Sequence, residues 1–162
     1  MTYIIIGNII ALIASIIMVY SGFLKQKKLI LYTQSIQISL SVLSNIFLCG
    51  ITSAIINTLC CIRNILCYKD KLDLKAKIIL IFLAITISLK FNNLGIIGLL
   101  PVISTVAYIL LMNTKDIIKF KFLIIFSMLT WLIYDIYINA YTSAIFDFIS
   151  VITNIISIIL IK

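Results

Sequence analysis

Two aspartates, Asp135 and Asp147, sit inside otherwise apolar stretches of this chain. An ionisable side chain within a membrane span costs roughly 2.5–3.5 kcal/mol on insertion scales, so each needs a reason to be there. A pair of carboxyls can bind a cation, carry a proton or hydrogen-bond a polar solute. The structural alternative is that they bond neighbouring helices, at about 0.6 kcal/mol per bond, and hold a bundle together. A turn centred near Ala140 separates them, five residues after Asp135 and seven before Asp147. At 1.5 Å per helical residue both lie about 8–10 Å below that turn, on adjacent antiparallel helices. Tyr134-Asp135 fits half of an intramembrane aspartyl-protease motif, but Ile145-Phe146-Asp147-Phe148 has no glycine-rich approach to the second acid.

Arg63 is the only arginine, six residues before Lys69 and therefore about 9 Å inside the nearer membrane face. Its planar fork suits an anionic substrate. It also suits snorkelling to the headgroups. Pro101 falls near the middle of an apolar stretch, where proline removes a helical hydrogen bond and makes either a hinge or a fixed bend. Trp131 is also near mid-span, away from the interfacial belt, and reads as packing or as a cavity wall. The chain has no His, no HExxH, no Walker loop and no GxSxG. It is expected to be no enzyme, and to hold no metal and no cofactor. Cys49, Cys60, Cys61 and Cys67 lie in or beside apolar runs and read as small buried hydrophobes.

The elements that carry these residues are apolar helices. The chain has 162 residues, 64% of them hydrophobic, and a mean hydropathy of +1.28. Soluble domains are nearer 45–50% apolar. Seven segments emerge: Tyr3 to Phe23, Leu29 to Cys49, Thr52 to Tyr68, Ile78 to Leu89, Leu94 to Met112, Phe120 to Ile138 and Thr142 to Ile161. Gly50 is the expected turn between the second and third. The first segment reads as a retained span rather than a cleaved signal peptide, because no basic residue precedes it. The fourth has an apolar part of only about 18 Å and crosses only if Lys77 and Lys90 snorkel.

The lysines test that fourth crossing. The 13 Lys+Arg outnumber 5 Asp+Glu and fall in short clusters between apolar runs. That is the pattern of membrane-flanking loops and not of a nucleic-acid-binding face. Seven crossings put eleven lysines on one side and Lys90 alone on the other. Six crossings would leave eight against four. The positive-inside rule favours seven, with the amino terminus outside and the carboxyl terminus cytoplasmic.

The second half of the chain echoes the first at an offset of 90. Thr52-Ser53-Ala54-Ile55 recurs as Thr142-Ser143-Ala144-Ile145, and Ile46, Ile62, Asn64 and Ile65 recur as Ile136, Ile152, Asn154 and Ile155. Asn45 falls on Asp135 and Asn57 on Asp147. The echo is weak between the first and fifth segments, where Ala11 meets Pro101. Three helices reverse the chain's direction across a bilayer and a fourth restores it, so the two triplets would lie parallel. The expected fold is all-α and polytopic, a 3+1+3 bundle. Residues 1–69 form the first unit, 70–91 the linker helix and 92–162 the second unit. Where the units meet, Asn45, Asn57, Asp135, Asp147 and Asn154 would line a site for a small polar solute or cation, with Arg63 on the cytoplasmic route. Asn64 and Asn154 would line a pore or clamp two helices.

Leu100-Pro101-Val102-Ile103-Ser104-Thr105 resembles a stretch of the YgjV-like bacterial inner-membrane proteins. Trp131-Leu132-Ile133-Tyr134-Asp135 resembles their sixth span, and Asn57 with Arg63-Asn64 their third. The resemblance covers nearly the whole chain and implies an inner-membrane location without a reaction. The 3+1+3 layout is also similar to that of the SWEET and PQ-loop transporters, although the chain has no Pro-Gln motif and Pro101 has no partner in the first segment. The resulting expectation is a transporter in the lipid bilayer, with a homo-oligomer left open. The alternative is a structural, lipid-associated or sensory membrane protein whose polar residues hold the bundle.

Overall fold

The computed structural model describes residues 2–48, 51–92, 94–137 and 141–161, and of Ile51, Thr52 and Ser53 only the backbone. The expected turns at Gly50 and Ala140, and the Cys49 and Lys162 positions, lie outside the described residues. Helices run over Thr2–Phe23 (α1), Lys27–Phe47 (α2), Ile51–Tyr68 (α3), Leu74–Phe91 (α4), Leu100–Leu111 (α5), Ile117–Tyr137 (α6) and Tyr141–Ile159 (α7). A 3-10 turn, Ile97–Leu99, leads into α5. Four of them, α1, α2, α6 and α7, are long and apolar enough to cross a membrane.

Local chemistry sets the boundaries. α3 ends in a Schellman motif. Asp70 takes the left-handed position at φ 55°. The Lys71 amide reaches Leu66 O at 2.8 Å, and the Asp70 amide reaches Cys67 O at 3.1 Å. α4 then starts on a side-chain cap, with the Ala76 amide donating to Asp73 Oδ1 at 2.8 Å. That cap draws Lys75 and Lys77 into the helix, so α4 has 18 residues and is about 27 Å long, more than its apolar stretch alone. Asn92 organises the return, accepting from the Leu94 amide and donating to Gly95 O. As a result α5 begins late. Pro101 lies in its first turn rather than mid-helix. There its missing N–H would have had no partner within α5, so it costs that helix no hydrogen bond. The expectation that Pro101 falls mid-helix is therefore corrected.

The helices close a ring. Each packs on its neighbours in the chain, and α7 packs on α1. The outward faces are apolar, as with Ile5, Ile9 and Ile16 on α1 and Ile145, Ile152 and Ile156 on α7, whereas Gln34, Asn64, Ser104, Thr153 and Asn154 are buried. Apolar outside with small polar groups inside is what a lipid solvent favours, because side-chain hydrogen bonds then join helices. The apolar core gathers Ile30, Leu31, Tyr108, Ile109, Met112, Phe120 and Ile124.

Lysines bind one end of the ring together. A helix leaves its last carbonyls without intrahelical donors, and a cation there also faces the negative end of the helix dipole. Lys25 Nζ donates to Leu160 O at 2.9 Å, just past α7. Lys77 Nζ donates to Leu110 O of α5 at 2.9 Å. Lys121 Nζ donates to Gly22 O of α1 at 2.8 Å. Lys27 reaches Thr114 O at 2.8 Å, and Asn113 Nδ2 reaches Leu72 O at 3.0 Å. The ends of α1, α3, α5 and α7 and the starts of α2, α4 and α6 thus share one lysine-rich face. At the other end, Ser44 Oγ donates to Gly7 O at 2.8 Å and Tyr3 stacks on Phe47.

Candidate functional site

The ring brings Asp135 and Asp147 together. Asp135 is in the last turn of α6 and Asp147 in the second turn of α7. Each is 7% exposed, and their carboxyls face each other. Among the described residues neither has a cationic partner. Ionised carboxylates only accept, so two facing carboxyls can hydrogen-bond to each other only when one of them carries a proton. One turn earlier, Trp131 and Tyr134 meet edge to face at 5.8 Å. Both are half-buried, so Trp131 packs on its own helix.

Of the four polar residues expected to converge, only the two acids are seen to interact. Asn45 and Asn57 are half-buried, and no hydrogen bond ties either to the carboxyls. Asn64 and Asn154 are both fully buried but do not bond to each other. Asn154 Oδ1 accepts from Lys121 Nζ at 3.4 Å, and its Nδ2 donates to Ser150 O at 2.8 Å. Asn64 Oδ1 accepts from Arg63 Nε at 3.1 Å. Arg63 itself does not snorkel. It is buried, with its guanidinium 4.2 Å above the ring of Tyr108.

Sequence reasoning missed four polar members of the interior. Lys121 reads as a loop lysine, yet it is wholly buried in α6. The signal was its place inside the apolar stretch that opens at Phe120. Gln34 accepts from Tyr108 Oη at 3.0 Å, joining α2 to α5. Ser104 and Ser127 share a 2.6 Å hydrogen bond between α5 and α6. Each is a polar residue within an apolar run, which marks it as inward-facing without naming its partner.

Two hollows flank this interior. An apolar one of about 360 Å³ lies between α2 and α3, lined by Tyr32, Ser35, Ser39, Leu43, Cys61 and Tyr68 among others. A polar one of about 140 Å³ opens at the lysine-rich end, lined by Lys27, Cys67, Asp70, Leu72 and Asn113. None of Asn45, Asn57, Arg63, Asp135, Asp147 or Asn154 lines either hollow.

No curated protein and no solved structure matches the chain. A family model described as "Bacterial inner membrane protein" matches residues 5–162, from α1 to the last residue. Apolar outer faces, polar side chains that bond helix to helix and a single lysine-rich end are what such a protein requires. The chain belongs to the Imp-YgjV family of bacterial inner membrane proteins.

Proposed function

We propose that this protein crosses the inner membrane seven times, as two parallel three-helix units joined by α4. In this reading it binds a small polar solute or cation at the Asp135–Asp147 pair and carries it across. The duplication is supported by the helix bounds. α2 and α6 differ by 90 at both ends, from 27 to 117 and from 47 to 137. α3 and α7 start at 51 and 141. Burial follows the same offset: Ala54, Cys60, Arg63, Asn64 and Cys67 are buried, and so are Ala144, Ser150, Thr153, Asn154 and Ser157. The amino terminus is then outside and the lysine-rich end cytoplasmic.

One observation carries the site. Two carboxyls face each other in the protein interior at the end remote from the lysine caps. The second reading, a bundle-holding contact, is favoured by the same pairing, because it joins α6 to α7. Replacing each acid separates them. Asp135→Asn and Asp147→Asn should reach membranes at wild-type yield yet lose dye-reported uptake of protons, Na⁺ or K⁺, or of a panel of polar solutes, in proteoliposomes. Collapse of folded yield, or unchanged uptake of everything tried, would leave the structural reading standing.

A further inference from the structure

Besides the carboxyl pair and Lys121, whose ammonium is held by Gly22 O and Asn154 Oδ1, the interior holds one more charged group, nearer the lysine-rich end. Arg63 on α3 is 6% exposed. Its Nε donates to Asn64 Oδ1 and its face lies on Tyr108, whose hydroxyl is already committed to Gln34. These are the guanidinium's partners. Its terminal N–H groups donate to no protein group and keep the little surface Arg63 retains, and among the described residues no carboxylate pairs with it. Beside it, Asn64 is fully buried and its Nδ2 has no hydrogen-bond partner. Every unmet group here is therefore a donor. A cation out of water is ordinarily matched by an anion, and an aromatic face offsets only part of the loss of hydration.

We propose that Arg63 and Asn64 bind a small oxyanion, a carboxylate or phosphate group, which enters from the lysine-rich end. The guanidinium fork matches two oxygens of such a group, and the free amide N–H of Asn64 supplies a neutral donor. Entry is short. Cys67 follows Arg63 by one helical turn on the same face of α3, and it lines the 140 Å³ hollow with Lys27 and Asn113. Lys27 at that mouth draws anions inward. Asp70, which also lines it, is offset by Lys28 at 3.4 Å. The site does not depend on the carboxyl pair, which sits at the opposite end of the ring.

The test uses the full chain purified in uncharged detergent. Its melting temperature is followed against sodium phosphate and sodium acetate, with NaCl holding ionic strength constant. A parallel series uses phosphatidylcholine nanodiscs with and without phosphatidylglycerol. A saturable rise with the dissolved salts identifies a soluble anion, and a rise only with phosphatidylglycerol identifies a lipid headgroup. Arg63→Lys keeps the charge but loses the fork, and should weaken the interaction about tenfold. Arg63→Met should abolish the response and, having no lone cation to bury, melt no lower than wild type in anion-free buffer. Lys90→Gln, at the far end, should respond as wild type does. No response in either medium, or equal responses in wild type and Arg63→Lys, overturns the site. If Arg63→Met fails to accumulate, Arg63→Lys decides alone.

Discussion

Gly22, Lys121 and Asn154 form the closest joint between α1, α6 and α7, and a substitution there tests it. A β-carbon on Gly22 would overlap Thr153 Oγ1 and come within 3.0 Å of Asn154 Nδ2. Those side chains are held in place, Thr153 on Ser150 O and Asn154 on Ser150 O and Lys121. In an exposed helix, Gly→Ala gains up to about 1 kcal/mol. Here overpacking costs about 1–3 kcal/mol, and it also disturbs the amide that orients the buried lysine. Gly22→Ala should therefore lower the melting temperature in detergent. Gly7→Ala should cost less, because a β-carbon there would meet Leu48 Cγ and Cδ2 at 2.8 and 2.9 Å and Phe47 Cβ at 3.2 Å, a milder overlap relieved mainly by turning the Leu48 side chain. Equal effects at the two glycines would show that the α1–α7 contact is looser than described. At this scale the chain's polar signals were legible only in part. Asp135, Asp147 and Arg63 stand out because charge inside an apolar run is rare. The inward turn of Lys121 does not, because its acceptor is a carbonyl on a helix 99 residues earlier, and no local pattern encodes that.

Between helices, cationic caps take the place of the missing turns of backbone hydrogen bonding. Lys25, Lys77 and Lys121 each supply a donor to the carbonyl end of a different helix. The lysine clusters thus have a packing role besides any role in topology. Helix existence and most boundaries follow from apolar run length and from the residues between runs. Two departures have local causes. The Asp73 cap lengthens α4 beyond its apolar stretch, and the turn built on Asn92 delays α5. The second departure changes what Pro101 does. Within a helix, Pro→Ala would restore a hydrogen bond and recover about 3 kcal/mol. In the first turn of α5 it restores none and only frees the unfolded chain. Pro101→Ala should therefore alter stability by less than about 1 kcal/mol and leave any transport rate intact. A large gain in stability, or loss of flux at normal yield, would reinstate the hinge.

Across the whole molecule, the echo at an offset of 90 was the most legible feature, and α2 and α6 keep the same length at that offset even where the side chains diverge. Leu31 and Lys121 occupy the same repeat position, and both are buried. The closure of the ring was not legible, since α7 meets α1 through Ser157 on Phe23 O and through Thr153 and Asn154 beside Gly22, partners too distant in sequence for any pattern to pair. Topology depends on α4, which carries Lys75, Lys77 and Lys90 and is not among the four long apolar helices. If it crosses, Lys77 lies at the cytoplasmic end, where it caps α5, and Lys90 lies outside. If it lies along one face, both are on the same side, and Lys77 could not reach Leu110 O while the helix continued inward through the buried Leu80 and Ala84. Single cysteines at positions 75 and 90, in a chain whose native cysteines are replaced by serine or alanine, decide between these. An impermeant maleimide applied to intact spheroplasts should label position 90 at once and position 75 only after the membrane is opened. Labelling of both before opening would make α4 a surface helix, put the two units in opposite orientations and remove the parallel duplication on which the transport reading rests.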